Sequence, residues 1–282
     1  MRTSILSNKN PQYGIPPHKT KKALILSGVH GNELTSIYCS YMLEKLELNS
    51  DTISSITSIS NINKNGIINN TRDVPSTFTN DLNRAFENDI KISNLRDHIK
   101  DSIDRRDIII DIHTSPNCAE FVLLNQDENT NSYVDFCKKH DIPYAIRYSD
   151  APTIKKFCLN KNKVVFTLEL NALNYIDYNS AYEGVNIITK IIENIEDFKL
   201  EKQEPIHPEF IELKTHRSGL FIPSNSSGNI ISYNQYMGDI LDLETFEKYK
   251  VYNKHEGKYR IIAFGSSAYV NPSNSICILQ KV

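Results

Sequence analysis

Three short apolar runs, separated by stretches of helical spacing, constrain this chain more than any other feature. Lys22–Ser27 is the first and is closed by Gly28. Asp107–Ile112 is the second and runs into His113-Thr114-Ser115-Pro116. Val164–Leu170 is the third, with one ionisable group, Glu169, near its end. Runs of this length and Ile/Leu/Val content predict buried strands. Weaker extended segments are expected over Thr52–Ile62, Phe121–Leu124 and Tyr144–Tyr148. Between them apolar residues recur at Leu34, Ile37, Tyr38, Tyr41, Met42 and Leu46, which is one face of a helix, with Asn32 as its cap and Glu33 in its first turn. Helical spacing returns over Glu87–Ile103, Asn131–His140 and Gly184–Phe198. Strands alternating with helices predict an α/β domain to about Leu200.

The texture then changes. Glu201–Pro205 is a polar hinge, followed by short strands punctuated by Gly, Asn, Pro and Ser. We expect two domains, an α/β domain over 1–203 and a small β-rich domain over 204–282. The 282 residues suffice for this. With 32 Lys and Arg against 34 Asp and Glu, no general attraction to nucleic acid or anionic membrane is expected. No apolar run approaches the ~18 residues of a membrane span, and the first residues lack a secretory apolar core. A cytoplasmic location is the default. The five cysteines are scattered and never form CxxC, so they read as reduced thiols.

His30 and Glu33 stand three apart on the turn that follows the first strand, a spacing that can turn an imidazole and a carboxylate to one side. Gly28 and Gly31 permit the close backbone approach such a turn requires. The plainer alternative is a surface histidine and a glutamate favoured by the helix dipole. His113, leaving the second apolar strand, supplies a third ligand, and Asp111 two positions earlier would share its face and orient it. Two imidazoles and a carboxylate with one open position make the donor set of catalytic zinc. Glu169 faces either water or a polar cleft; the cleft reading makes it a general base. From Asn63 to Ala85 periodicity disappears, in a loop long enough to be functional. It contains Arg72 and the run Asp81-Leu82-Asn83-Arg84. Amide hydrolysis beside a free carboxylate needs one cation for the oxyanion and one for the carboxylate, although Arg72 and Arg84 could equally be surface arginines paired with Asp73 and Asp81.

Taken in order, Gly28-Val29-His30-Gly31-Asn32-Glu33, Arg72, Asp81-Leu82-Asn83-Arg84, Asp111-Ile112-His113-Thr114 and Glu169 resemble the signature of the succinylglutamate desuccinylase and aspartoacylase family, within the zinc-carboxypeptidase-like group. The likeness covers about residues 22–170. It implies an α/β/α domain with a mixed central sheet, followed by a small β-rich domain that overhangs the entrance in several members. It further implies one Zn2+ per chain and hydrolysis of a small carboxylated amide by promoted water. By this likeness His30, Glu33 and His113 match the zinc ligands and Glu169 the base. Arg72 matches the residue that polarises the scissile carbonyl, and Asn83 and Arg84 the pair that grips the α-carboxylate. Two departures stand out. Leu170-Asn171-Ala172 occupy the place where aspartoacylase-like members usually have Gly-Pro. Leu159 stands where aspartoacylases have an arginine for the substrate's side-chain carboxylate, which counts against N-acetylaspartate. Lys155, Lys156 and Arg147 are nearby cations out of register. Rival readings are a metallocarboxypeptidase of short peptides and a silent ligand-binding protein on the same scaffold. A tyrosine near Glu169 (Tyr144, Tyr148, Tyr175 or Tyr178) could enter the site, and His216 and His255 read as surface residues. Oligomeric state is left open.

Overall fold

The computed structural model describes residues 1–6, 20–48, 50–74, 81–86, 93–127, 129–147, 151–201, 203–204, 209–265 and 268–282. Two compact units emerge: Met1–Ser115 with Glu120–Ile206, and Pro116–Ala119 with His207–Val282.

The first unit is built on a seven-stranded mixed sheet. Its strands are β1 (Arg2–Ile5), β2 (Lys21–Ser27), β3 (Ile53–Ser60), β4 (Ile108–Ser115), β5 (Phe121–Asn125), β6 (Tyr144–Arg147) and β7 (Val164–Asn171), in the spatial order β1-β3-β2-β4-β7-β5-β6. β3, β2, β4 and β7 run parallel. β1 is antiparallel to β3, and β5, with β6 parallel to it, is antiparallel to β7. Helices α1 (Leu34–Leu43), α4 (Thr130–Lys139) and α6 (Tyr178–Glu193) contribute to one apolar cluster with Ala23, Ile25, Ile108, Ile110, Ile112, Phe166, Leu168 and Leu170. Helices α3 (Ser93–Asp104) and α5 (Ile154–Asn160) contribute Ile99, Ile103, Ile154 and Cys158 to a second cluster with Leu24, Leu26, Ile109 and Val165. The sheet is therefore covered on both faces, as parallel strands require.

The two faces differ in one respect that positions the site. Successive side chains alternate across a strand, so Ile109, Asp111, His113 and Ser115 share a face of β4. The register sets Asp111 opposite Thr167, His113 opposite Glu169 and Ser115 opposite Asn171. It continues across the sheet with Phe121 opposite Glu169, Leu123 opposite Thr167 and Asn125 opposite Arg147. On one face β4 and β7 are apolar from Ile108 and Val164 through Ile112 and Leu168. The other begins apolar at Leu24, Ile109 and Val165 and turns polar at Asp111 and Thr167.

The secondary structure departs from the sequence reading in several places. His113 is inside β4 rather than in the loop after it, because parallel pairing with β7 extends to Ser115. Glu33 is the N-cap residue of α1 instead of lying in its first turn, and no side chain caps that helix. The long loop holds a short helix, α2 (Lys64–Asn69), capped by Asn63, and a 3-10 turn at Leu82–Arg84 capped by Asp81. Residues 75–80 of the expected loop, 87–92 at the start of the expected Glu87–Ile103 helix, and Tyr148 lie outside the described residues. α6 starts at Tyr178, six residues before the expected Gly184, because Asp177 caps it by accepting from Ser180 N–H.

The second unit is all β. Strands β8 (Phe210–Lys214), β10 (Ile230–Ser232), β13 (Lys258–Phe264) and β15 (Ser275–Lys281) form one antiparallel sheet. Strands β9 (Gly219–Pro223), β11 (Tyr236–Leu241), β12 (Lys248–Tyr252) and β14 (Tyr269–Val270) form another. Leu213, Ile231, Met237, Tyr259, Ile261, Cys277 and Leu279 make its principal core. Cys118 forms an isolated antiparallel bridge with Ala263, which attaches the Pro116–Ala119 segment to this unit. All five cysteines are buried, and none is in a disulfide. Among the described residues no helix is long and apolar enough to cross a membrane.

The turn after β2 is held by contact between two glycines. Gly28 has φ +70°, and a methyl group on Gly31 would lie 2.0 Å from the carbonyl carbon of Gly66 in α2. Neither neighbour can yield without moving backbone, so Gly31→Ala should destabilise the protein by ~1–3 kcal/mol, the usual cost of overpacking. A lowered urea midpoint with unchanged slope is the expected result, and an unchanged midpoint would show that the two loops do not meet.

Candidate metal centre and active site

The turn Gly28–Glu33 leaves the carboxyl end of β2, beside the polar end of β4. The Glu33 carboxylate is almost wholly buried, with 2% of the residue exposed. His30 Nδ1 lies 2.7 Å from its Oε1 and His113 Nδ1 lies 3.0 Å from its Oε2. Thr114 N–H also donates to Oε2, at 3.2 Å, and the two imidazole rings are 4.9 Å apart. The far nitrogen of each ring faces another carboxylate: His30 Nε2 is 2.9 Å from Asp81 Oδ1, and His113 Nε2 is 2.9 Å from Asp111 Oδ2. A carboxylate behind each imidazole fixes ring orientation and tautomer, leaving the opposite nitrogen as the lone-pair donor.

Among the described residues, His30, Glu33 and His113 are the group whose ligand atoms converge, all within 4.8 Å of one another. Two nitrogens and one carboxylate, buried and oriented from behind, fit a divalent ion of zinc type. Electrostatics agree with a shared centre. Burial alone would raise the Glu33 carboxyl, but His113 and His30 outweigh it and hold it at about 2. Burial alone would lower His113, yet Asp111 and Glu33 raise it well above the usual imidazole value.

Asp81 is the residue the sequence reading undervalued. It accepts from His30 at one oxygen, while its other oxygen accepts from Arg72 Nε at 3.2 Å and Nη2 at 3.0 Å. Arg72 also donates from Nη1 to Glu33 Oε1 at 3.3 Å. Neither of the surface pairings considered above, Arg72 with Asp73 or Arg84 with Asp81, is the ion pair formed here. The Asp81-Leu82-Asn83-Arg84 run carried the signal, since an aspartate two residues before an asparagine can cap a tight turn and still offer its second oxygen elsewhere.

Asn83 is buried. Its Oδ1 accepts from Ile154 N–H at 2.8 Å, and its Nδ2 lies 3.2 Å from His113 Nε2. Arg84 is half-buried and donates from Nη1 to the Asn83 carbonyl at 3.1 Å. Glu169 stands on the same sheet face as His113, half-buried, and accepts from Ser115 Oγ at 2.9 Å. Burial pushes its carboxyl above the ordinary range, against the pull of His113 and Arg147. One cavity is lined by His30, Glu33, Arg72, Asn83, Arg84, Asp111, His113 and Glu169, all in the first unit. Every site residue singled out from the sequence therefore faces the same space. Arg147, Lys155, Ser115 and Thr167 line it as well, the first two being among the cations that stand out of register with the family pattern. Tyr144, Tyr175 and Tyr178 are not among its lining. Past β7, Ala172 takes φ +84° and Asn174 N–H donates to the Asn32 carbonyl at 2.8 Å, so the turn after Glu169 closes onto the His30 loop.

Comparison with known proteins follows from this arrangement. The family model of the succinylglutamate desuccinylase/aspartoacylase catalytic domain matches residues 19–195. The chain belongs to the succinylglutamate desuccinylase/aspartoacylase family, whose members are deacylases. No curated protein matches it by sequence. Solved structures are similar in fold. A succinylglutamate desuccinylase from Silicibacter sp. aligns with TM-score 0.69 at 14% identity, over 99% of this chain and 88% of that one. An aspartoacylase family protein from Mesorhizobium loti aligns with TM-score 0.68 at 19% identity, over 93% and 85%. The product-bound Ectoine utilization protein EutE (DoeB) from Ruegeria pomeroyi aligns with TM-score 0.68 at 14% identity, over 93% and 85%.

Lys155 offers a test of the cavity's polarity that needs no substrate. It is buried, its ammonium donates to the Leu123 carbonyl, and burial lowers its pKa from 10.5 to about 7. Between those values the unfolded chain binds the extra proton, so stability should rise with pH. The penalty of the buried charge is complete below about 7 and is relieved as pH climbs toward 10.5. Lys155→Met should accordingly be most favourable relative to the parent near pH 6.5, with the difference shrinking toward pH 10 in urea titrations. A difference independent of pH would contradict this environment for Lys155.

Proposed function

We propose that this protein is a zinc-dependent amidohydrolase that removes the acyl group from a small N-acyl amino acid or a related carboxylated amide. The observation that carries the reading is the Glu33 carboxylate between His30 and His113, each imidazole held from behind by a carboxylate, with Glu169 beside them on the same sheet face. His30, Glu33 and His113 would hold the ion, and Asp111 would keep the His113 ring in its orientation. A zinc ion there supplies Lewis acidity, polarising a carbonyl and easing the loss of a proton from water near neutral pH.

The remaining chemistry falls to side chains of the chain. Glu169 is the general base. Ser115 occupies its Oε2, leaving Oε1 to take the proton of the attacking water. As the carbon–nitrogen bond breaks, the same oxygen returns that proton to the departing amine. A carboxyl raised by burial is suited to both transfers, because its proton affinity lies nearer the working pH. Arg72 lies within reach of Glu33 and stabilises the oxyanion that develops on the scissile carbonyl. Arg84, with no carboxylate partner among the described residues, grips the substrate's α-carboxylate, and Asn83 sets its place. Five buried thiols, none in a disulfide, suit a reducing, cytoplasmic setting.

His30→Ala and His113→Ala should each lose most of the zinc carried by the parent; undiminished zinc in both, by elemental analysis, would end the assignment. Glu169→Gln is nearly isosteric and should fold and keep its zinc while kcat on N-acyl amino acids falls by ~10²–10⁴. Near-parental kcat in a zinc-loaded Glu169→Gln protein would remove that residue from the reaction. Arg84→Lys keeps the charge and loses the planar fork, so KM should rise ~10-fold with kcat little changed. Turnover of dipeptides in preference to every N-acyl amino acid would favour the carboxypeptidase reading instead.

A further inference from the structure

Helix α1 is built inside out. It buries Thr35, Ser36, Cys39 and Ser40 and leaves Tyr41 exposed, with Tyr38 and Met42 half-buried. The buried hydroxyls are bonded within the fold, Ser36 Oγ donating to the Glu33 carbonyl and Ser40 Oγ to Ser27 Oγ. Helix α6 continues the surface. Tyr178 meets Tyr38 edge to face with ring centroids 5.1 Å apart, and Tyr38 lies 5.7 Å from Tyr41. Tyr182 follows one turn after Tyr178 on the same side of α6, and Tyr175 and Ile176 stand just before that helix. Tyr41, Tyr175, Ile176, Tyr178 and Tyr182 are 38–64% exposed. Charge is scarce on this surface. In a chain that is 23% charged, neither α1 nor the stretch Tyr178–Tyr182 carries a single charged residue. The Asp177 carboxylate is engaged by Ser180 N–H and the Asn171 amide. Exposed rings grouped without charge have the composition of an interface core rather than of a solvated face.

We propose that the tyrosine face of α1 and α6 is the contact through which two copies of this chain form a two-fold dimer. The five exposed side chains offer roughly 500 Å², at ~200 Å² for a whole tyrosine. A standard interface takes about 800 Å² from each partner, so the face has the size of an interface core that a polar rim completes. A second copy is the occupant because the face is complementary to itself. A phenol hydroxyl both donates and accepts, and the cluster presents ring edges and ring faces alike. Its borders carry opposite charges, Lys45 over the Tyr41 ring at 5.3 Å and the exposed Glu183 next to Tyr182. A two-fold contact sets such borders against each other twice. The face also adjoins the proposed site. Thr35 Oγ1 donates to the Tyr175 carbonyl at 3.2 Å and accepts from Asp177 N–H at 3.0 Å. A partner seated there braces the turn that joins Glu169 to α6.

Sedimentation equilibrium of the full chain tests the proposal. Interfaces of standard size hold at about micromolar Kd or tighter, so at roughly 10 µM the parent should sediment at twice the mass of one chain. Tyr178→Asp and Tyr182→Asp each place a carboxylate within the face and should weaken the dimer ~10-fold or more, as loss of a central aromatic anchor does. Tyr178→Ser and Tyr182→Ser carry the comparison if an aspartate variant does not fold. Phe246→Asp, at a ring 73% exposed in the second unit, should leave the mass unchanged. A parent that still sediments as single chains at ~100 µM overturns the proposal and leaves the face to a different protein. A dimer indifferent to Tyr178 and Tyr182, or one dissociated by Phe246→Asp, also overturns it. Mass is read without zinc or substrate, so the result is independent of the hydrolase reading.

Discussion

A single buried carboxylate ties the first unit together where its strands end. Glu33 meets His30 from its own turn, His113 and the Thr114 amide from β4, and Arg72 from the loop after α2. An ionised carboxylate in so dry a place would cost several kcal/mol if it stood alone. It persists because hydrogen-bonding groups surround it, and each of them is fixed by another element. His113 is set by its strand register and by Asp111; His30 is set by a turn whose glycine abuts Gly66; Arg72 is set by Asp81. Removing any one partner leaves the others facing an undercompensated charge, so the members of the cluster depend on one another.

The sheet supplies the frame by changing character along one face. Ile109 and Val165 bury against α3 and α5, and two residues further on the same rows read Asp111 and Thr167, then His113 and Glu169. The helices leave that end of the face uncovered, so polar side chains remain within reach of one another and of a ligand. This is the usual place for a site in an open α/β sheet, outside the carboxyl ends of its parallel strands. The antiparallel β5, with β6 beyond it, lengthens the polar strip sideways and adds Arg147 at its far border.

Much of this was legible in the sequence for a definite physical reason. Period-two alternation in Ile108–Ser115 and Val164–Asn171 places polar groups on one face whatever the partners are, and parallel pairing then needs only a register. The register itself, which sets His113 opposite Glu169, is visible only in the fold. Other elements lacked such a local cause. α5 is seven residues long and mixes Lys, Phe, Cys and Asn, so its helical state depends on the Thr153 cap and on burial of Ile154 and Cys158. β1 is four mostly polar residues whose strand state exists only through pairing with β3. The Asp81 pairings are long-range, nine residues to Arg72 and 51 to His30, and nothing in a linear string favours them over the neighbouring Asp73. Glu33 at the cap of α1 was misplaced by one position because its side chain serves the histidines rather than its own helix.

The departures from the family pattern have structural consequences of different kinds. After Glu169 the chain reverses at Ala172 with φ +84°, a conformation glycine adopts freely and alanine adopts at a cost of roughly 1–2 kcal/mol. That strain is held by burial of Ala172 and by the Asn174 bond to Asn32, so a sequence without the usual glycine still brings the turn onto the His30 loop. The loss of the arginine at position 159 has a different character, because Leu159 packs against the apolar cluster under α5 and has no polar task. The backbone departure is absorbed by packing, while the side-chain departure places an apolar residue where its neighbours are apolar.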